Sequence, residues 1–292
     1  MRSFGLSIKI DGSRMIVKNR TGQSVATQSD LNPVLRTAFE NEVHDLLNQN
    51  IHSSQVGYHV LTEIWGDTVW ILPQSPDFLD AETDYPGTAR DAYGKGQHVG
   101  VSTYNLDTDR FEKQIIEKSL GTGKGTGALI LFSPRWWSSD QGPGSLADEM
   151  LLHELVHALR INEGRYRAAS TVNSPVDRCY DNVEEFYAYM VANIFMSERG
   201  KGRLRANHKG FDDLIYSGRV DDLTDSAAFY KTYKDDITTF CQEMSTLSYW
   251  LNKIEVDFNP IREYFKDPAS KSPWERAMDD LKPSDIWRGG VQ

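Results

Sequence analysis

Apolar and polar positions along the chain change period several times, and the changes predict the elements. Residues 4–27 alternate, with Leu6, Ile8, Ile10, Met15 and Val17 apolar around Asp11-Gly12. That period of two predicts a hairpin with a tight turn. Asp30 and Pro33 then open a helix whose apolar positions are Leu31, Leu35, Ala38, Phe39, Val43, Leu46 and Leu47. Strand-like runs follow at 58–65 and 68–72, with Gly66-Asp67 as the turn between them. Residues 73–98 are rich in Pro, Gly, Asp and Tyr and read as a long loop, after which 99–104 reads as a strand. The run 128–132, Ala-Leu-Ile-Leu-Phe, is a strand ending at Pro134. It is either an internal strand or an edge strand that pairs with an extended peptide.

Two helices carry the middle of the chain. The first holds Leu152, Leu155, Val156 and Leu159 at helical spacing. Pro143-Gly144 lies before it, and Ser145 is the expected N-cap with Asp148 three residues on. The second begins near Tyr180 and shows Val183, Tyr187, Met190, Val191 and Ile194 on one face. Beyond residue 197 the pattern is helical. Phe229, Tyr233, Ile237, Phe240, Met244, Leu247 and Leu251 recur every 3 or 4 residues and predict one long amphipathic helix. Pro260 starts a further helix through Phe265, and Pro273-Trp274 another. The expectation is an α+β fold with an N-terminal hairpin and small mixed sheet packed on the two central helices. Residues 1–196 form the core, and 197–292 form a helical extension packed on it.

Composition narrows the class. The 292 residues are 39% hydrophobic and 25% charged, as in globular proteins. A net charge of −10 disfavours nucleic acid or an anionic membrane surface as the main partner. No apolar run is long enough to span a membrane, and the N-terminus lacks the apolar core of a Sec signal. Cys179 and Cys241 do not amount to a disulfide framework.

Chemistry enters at His153-Glu154-Leu155-Val156-His157. On a helix, positions i and i+4 lie one above the other, so both imidazoles can reach one Zn²⁺. Glu154 then lies beside the water that the metal would activate and can take its proton. With seven histidines in the chain, this pattern arises by chance about once in a hundred such sequences. A catalytic zinc generally has three protein ligands. Glu184 and Glu185, in the first turn of the second helix, are the candidates. Glu185 is preferred because Ala188 and Ala192 follow it on a small-residue line that allows close helix approach. Of the other histidines, His44, His52 and His208 read as solvated or structural. The glycine-rich run Gly121-Thr-Gly-Lys-Gly-Thr-Gly127 fits neither phosphate-loop spacing and reads as a connector.

Together, the His153–His157 motif and Asn182-x-x-Glu185-Phe-Tyr-Ala188 resemble the zinc centre of anthrax lethal factor, where an N-x-x-E-F-F-A run supplies the third ligand. They are also similar to the NleD-like effector metallopeptidases that bacteria inject into other cells. The resemblance covers roughly residues 125–196. It implies zinc ligands His153, His157 and Glu185, Glu154 as general base, and a tyrosine that stabilises the oxyanion. Tyr180 is the nearest match for that tyrosine at a different offset, with Tyr166 as the alternative. It further implies a peptidase made in the bacterial cytoplasm and secreted without a Sec signal, acting on a protein in a target cell. A secretion chaperone or an immunity protein would be its other partner. Two other functions fit the same residues: a zinc amidase acting on a non-protein or cell-wall substrate, and a catalytically silent zinc-binding module.

Overall fold

The computed structural model describes residues 1–18, 24–28, 31–73, 104–105, 110–111, 125, 127–137, 139, 142–166, 180, 182–206 and 225–266. Its N-terminal part forms two hairpins where the alternation predicts one. Strand β1 (Arg2–Phe4) pairs antiparallel with β2 (Ile8–Ile10), and β3 (Arg14–Lys18) with β4 (Ser24–Gln28). Leu6 lies in the first turn and is almost wholly exposed. The chain fails to fold back at Asp11-Gly12 because Asp11 is already engaged. Its N–H donates to the Ile71 carbonyl at 3.1 Å, and its carboxylate accepts from Ser13 N at 2.9 Å, closing an Asx turn. Gly12 is pressed against the next helix, where a Cβ would sit 2.8 Å from the Arg36 carbonyl oxygen.

Strand β2 instead pairs in parallel with β5 (Val69–Pro73), and β5 in parallel with β8 (Ala128–Phe132). The result is a four-stranded mixed sheet in the order β1-β2-β5-β8. Two short strands, β6 (Tyr104–Asn105) and β7 (Arg110–Phe111), form a separate antiparallel pair. Among the described residues, β8 has β5 as its single ladder partner and lies at the sheet edge.

Helix α1 (Pro33–Asp45) is capped by Asn32, whose side chain accepts from Val34 N and Leu35 N; Asp30 lies outside the described residues. It runs on as a π-helical turn, Leu46–Ile51, which buries Leu47 and Ile51. His44 and His52 meet the ring of Phe4 edge-on, each at 5.9 Å between centroids.

The stretch expected as a strand at 58–65 is helix α2 (Gln55–Glu63). Its β-branched and aromatic content suggests a strand, but Val56, Gly57, Val60 and Leu61 are the buried positions, a helical spacing. Ser54 accepts from Gly57 N at 2.8 Å, and Glu198 accepts from Gln55 N and Val56 N at 2.6 and 3.0 Å. A carboxylate 142 residues away thus satisfies two of the orphan donors of this helix.

Two long helices, α3 (Ala147–Asn162) and α4 (Val183–Glu198), pack on each other at the centre and are buried along almost their whole length. Helix α3 also rests on β8, and α2 crosses both helices. The predicted long helix at 229–251 is broken into α5 (Ser226–Thr232), α6 (Lys234–Glu243) and α7 (Ser245–Asn252). The breaks fall at Tyr233 and Met244, whose ψ angles of 30° and 50° leave the helical range. All seven stripe residues are nonetheless buried. A straight helix of that length would extend about 34 Å. The corners instead wrap the stripe around α8 (Ile261–Lys266), the helix expected after Pro260. One apolar core runs from Ile8 to Phe265, so the C-terminal helices share it with the sheet. Phe186 on α4, for example, stacks on Phe229 of α5 with ring centroids 5.8 Å apart. Among the described residues no helix is long and apolar enough to cross a membrane. Residues 74–98, Cys179, His208 and Pro273-Trp274 lie outside the described residues, as does most of the glycine-rich run.

Candidate metal centre

Helix α3 begins one residue later than the sequence suggests. Leu146 is the N-cap, and the Glu149 carboxylate accepts from Leu146 N at 3.1 Å. Ser145 is buried, and its hydroxyl donates to the Gly142 carbonyl instead of capping the helix. Asp148 accepts from Asn50 Nδ2 at 3.1 Å and pairs with Arg199, tying this end of α3 to the π-helical turn and to the end of α4. At the other end Gly164, with φ +66°, lets the chain turn back. The Arg160 carbonyl then accepts from Arg165 N at 2.7 Å and Tyr166 N at 3.2 Å.

Helix α4 is capped by Asn182, whose Oδ1 accepts from Glu185 N at 3.1 Å. Asn182-x-x-Glu185 is therefore an N-cap followed by the third helical residue. The cap fixes the backbone of Glu185, and its carboxylate reaches across to α3. His153 Nε2 lies 3.1 Å from Glu185 Oε2, His157 Nε2 lies 3.5 Å from the same oxygen, and the two Nε2 atoms are 3.1 Å apart. His153, His157 and Glu185 form the group of possible metal ligands found among the described residues. Ligand atoms on a tetrahedral ion at 2.0–2.1 Å would be about 3.3 Å apart. The observed separations match. Three atoms with lone pairs converging on one point could hold a cation between them, and this donor set suits a divalent metal.

All four motif groups are buried, with His153 1%, Glu154 4%, His157 2% and Glu185 2% exposed. Burial lowers the His153 pKa to about 3 against the pull of Glu185. Burial also works to lower that of His157, but the Glu185 carboxylate, with Glu154 behind it, raises it to about 9. Burial opposes ionisation of Glu185 as well, yet the two imidazoles hold its carboxyl well below the usual range. Burial pushes Glu154 up to about 8. One oxygen of Glu154 is buried and has no partner among the described residues, and the same holds for Nδ1 of both histidines.

The two tyrosines differ in position. Tyr166 lies 5.9 Å from the His157 ring and is buried; burial, with Glu184 and Glu185, raises its hydroxyl pKa well above 10. Tyr180 packs on Phe186 and Tyr189, and Tyr189 in turn lies 4.1 Å from the His153 ring. Sequence reasoning missed Tyr189, whose i+4 spacing from Glu185 could have marked it. It also left Glu184 without a partner. Glu184 is fully buried against Arg160, which donates to its carboxylate from Nε at 2.6 Å and Nη2 at 2.8 Å. Cys241 is buried in the C-terminal helices.

The geometry defines a buried two-histidine, one-carboxylate centre that could hold a metal ion. No protein-family model, no curated protein and no solved structure matches the chain.

Proposed function

We propose that the protein is a zinc-dependent endopeptidase with His153, His157 and Glu185 as the metal ligands. The observation that carries this reading is the convergence of those three ligand atoms, contributed by two helices, beside the buried carboxylate of Glu154. When bound, the ion supplies Lewis acidity, polarising a carbonyl and lowering the pKa of a water. Glu154, which burial holds up to about 8, would be ionised by the neighbouring cation and then accept the proton of the attacking water and hand it to the leaving amine. Tyr166 remains a neutral hydroxyl donor at physiological pH and suits the developing oxyanion, with Tyr180 as the alternative implied by resemblance.

Peptide is favoured over a cell-wall substrate by β8. Among the described residues this strand is at the sheet edge and lies against α3, so it could offer ladder positions to an extended chain. On the resemblance to effector metallopeptidases, the reading extends to a secreted bacterial effector that cleaves a protein in a target cell.

Elemental analysis combined with a casein-type assay tests this. About one zinc per chain is expected in the wild type and in Glu154→Gln, and none in His153→Ala or Glu185→Ala. Hydrolysis is expected in the wild type alone. A wild type free of zinc would sink the reading, as would full activity in Glu154→Gln. Hydrolysis of peptidoglycan with casein untouched would move the assignment to the amidase.

A further inference from the structure

We infer that Arg160 is a positioning residue that sets the rotation of α4, and so brings Glu185 onto the metal site. This rests on the metal-centre reading above. Arg160 lies one turn beyond His157 on α3 and is fully buried. Its guanidinium grips α4 at two places one turn apart. It donates to both Glu184 oxygens, at 2.6 and 2.8 Å, and sits 4.6 Å from the Tyr187 ring centroid. The neighbouring stripe of α4 carries Glu185 and Tyr189, the residues that meet His153. Glu184/Tyr187 and Glu185/Tyr189 are thus adjacent faces of one helix, the first held by Arg160 and the second turned to the ligands.

The geometry makes that hold matter. A carboxylate oxygen about 6 Å from a helix axis moves about 1 Å when the helix rotates by about 10°. Metal sites tolerate departures of about 0.2 Å, so the rotation of α4 must be fixed to a few degrees. Apolar packing alone is a weak determinant of rotation here, because α4 is buried on nearly every side and has no unique apolar face. A bidentate ion pair specifies the angle.

Arg160 Nη2 also donates to the Arg165 carbonyl at 2.9 Å and to Glu243 Oε2 at 3.0 Å. Through Glu243 on α6, the C-terminal helices are tied to the same node. Through Arg165, the turn that carries Tyr166 is tied to it too. Buried ion pairs contribute little net stability compared with apolar residues of similar size, whereas they can specify register. Stability and metal affinity should therefore separate.

The test measures zinc Kd by chelator competition, together with the melting temperature of metal-free protein, in the full chain. In Arg160→Met/Glu184→Leu, which also takes a donor from Glu243 and the Arg165 carbonyl, the metal-free protein should still fold with a melting temperature lowered by a few degrees, while zinc Kd rises about 10- to 100-fold. Arg160→Lys keeps the charge but loses the bidentate fork. It should fold normally and show a zinc Kd raised about tenfold. It decides the matter if the double variant does not fold. An unchanged Kd in the folded variants overturns the inference alone. A wild type that binds no zinc overturns the metal reading, and this inference with it.

Discussion

Proton release on metal binding follows from the charges at the centre and can be worked through. Without metal, Glu185 is ionised, His153 is neutral with its pKa near 3, and His157 is protonated with its pKa near 9. A metal requires both imidazoles neutral. Binding must then displace one proton from His157 at any pH between about 4 and 9. The zinc Kd should tighten tenfold per pH unit, about 1.4 kcal/mol, or a hundredfold from pH 6 to pH 8. Glu154, held up to about 8, is a second proton donor where the bound cation draws its pKa below the working pH. Glu154→Gln removes that contribution and should leave a slope of one proton. Calorimetry in two buffers of different ionisation enthalpy counts the protons directly. A Glu154→Gln variant whose zinc affinity is independent of pH between 6 and 8 would refute the charge assignment. The sign for the metal-free protein is opposite. A raised histidine pKa contributes stability that is fully present below about 6.5 and lost as pH rises through about 9.

Three further outcomes are expected. Asn182→Ala removes the acceptor for Glu185 N and should cost about 1 kcal/mol. That corresponds to a drop of about 2–4 °C in the metal-free melting temperature, and Asn182→Ser should recover most of it; an unchanged melting curve would show that the cap contributes nothing. On helix propensity alone, Gly57→Ala would stabilise α2 by about 1 kcal/mol. A Cβ there would lie 2.1 Å from the Ile51 carbonyl oxygen, so thermal denaturation should show a loss; a gain would contradict the packing of α2 on the preceding turn. Tyr166→Phe should lower kcat by about a hundredfold with zinc retained, whereas Tyr180→Phe should leave kcat nearly unchanged; the reverse result would return the oxyanion role to Tyr180.

What could be read from the sequence was whatever depends on neighbours along the chain. The i, i+4 spacing places His153 and His157 on one face of α3 whatever surrounds the helix. Asn182-x-x-Glu185 likewise carries its own cap, and so the start of α4 and the aim of its first turn. The apolar stripe from Phe229 to Leu251 named the buried residues correctly, because burial follows hydrophobicity.

Distant partners decided the rest. Residues 55–63 have strand-like composition, and Glu198 satisfies the first donors of the helix they form. The hairpin expected at Asp11-Gly12 gave way because β5 claims the Asp11 N–H. The C-terminal stripe bends at Tyr233 and Met244 because α8 fills the space inside the bend. Glu184 and Glu185 are adjacent carboxylates of the same type; the small-residue line through Ala188 and Ala192 favours Glu185 as the ligand, but it does not say what Glu184 meets. Only the approach of α3 gives one of them two imidazoles and the other a buried guanidinium. Local spacing determines which side chains share a face. The angle at which two helices meet is set by the whole core, and that angle brings three possible metal ligands on two helices together.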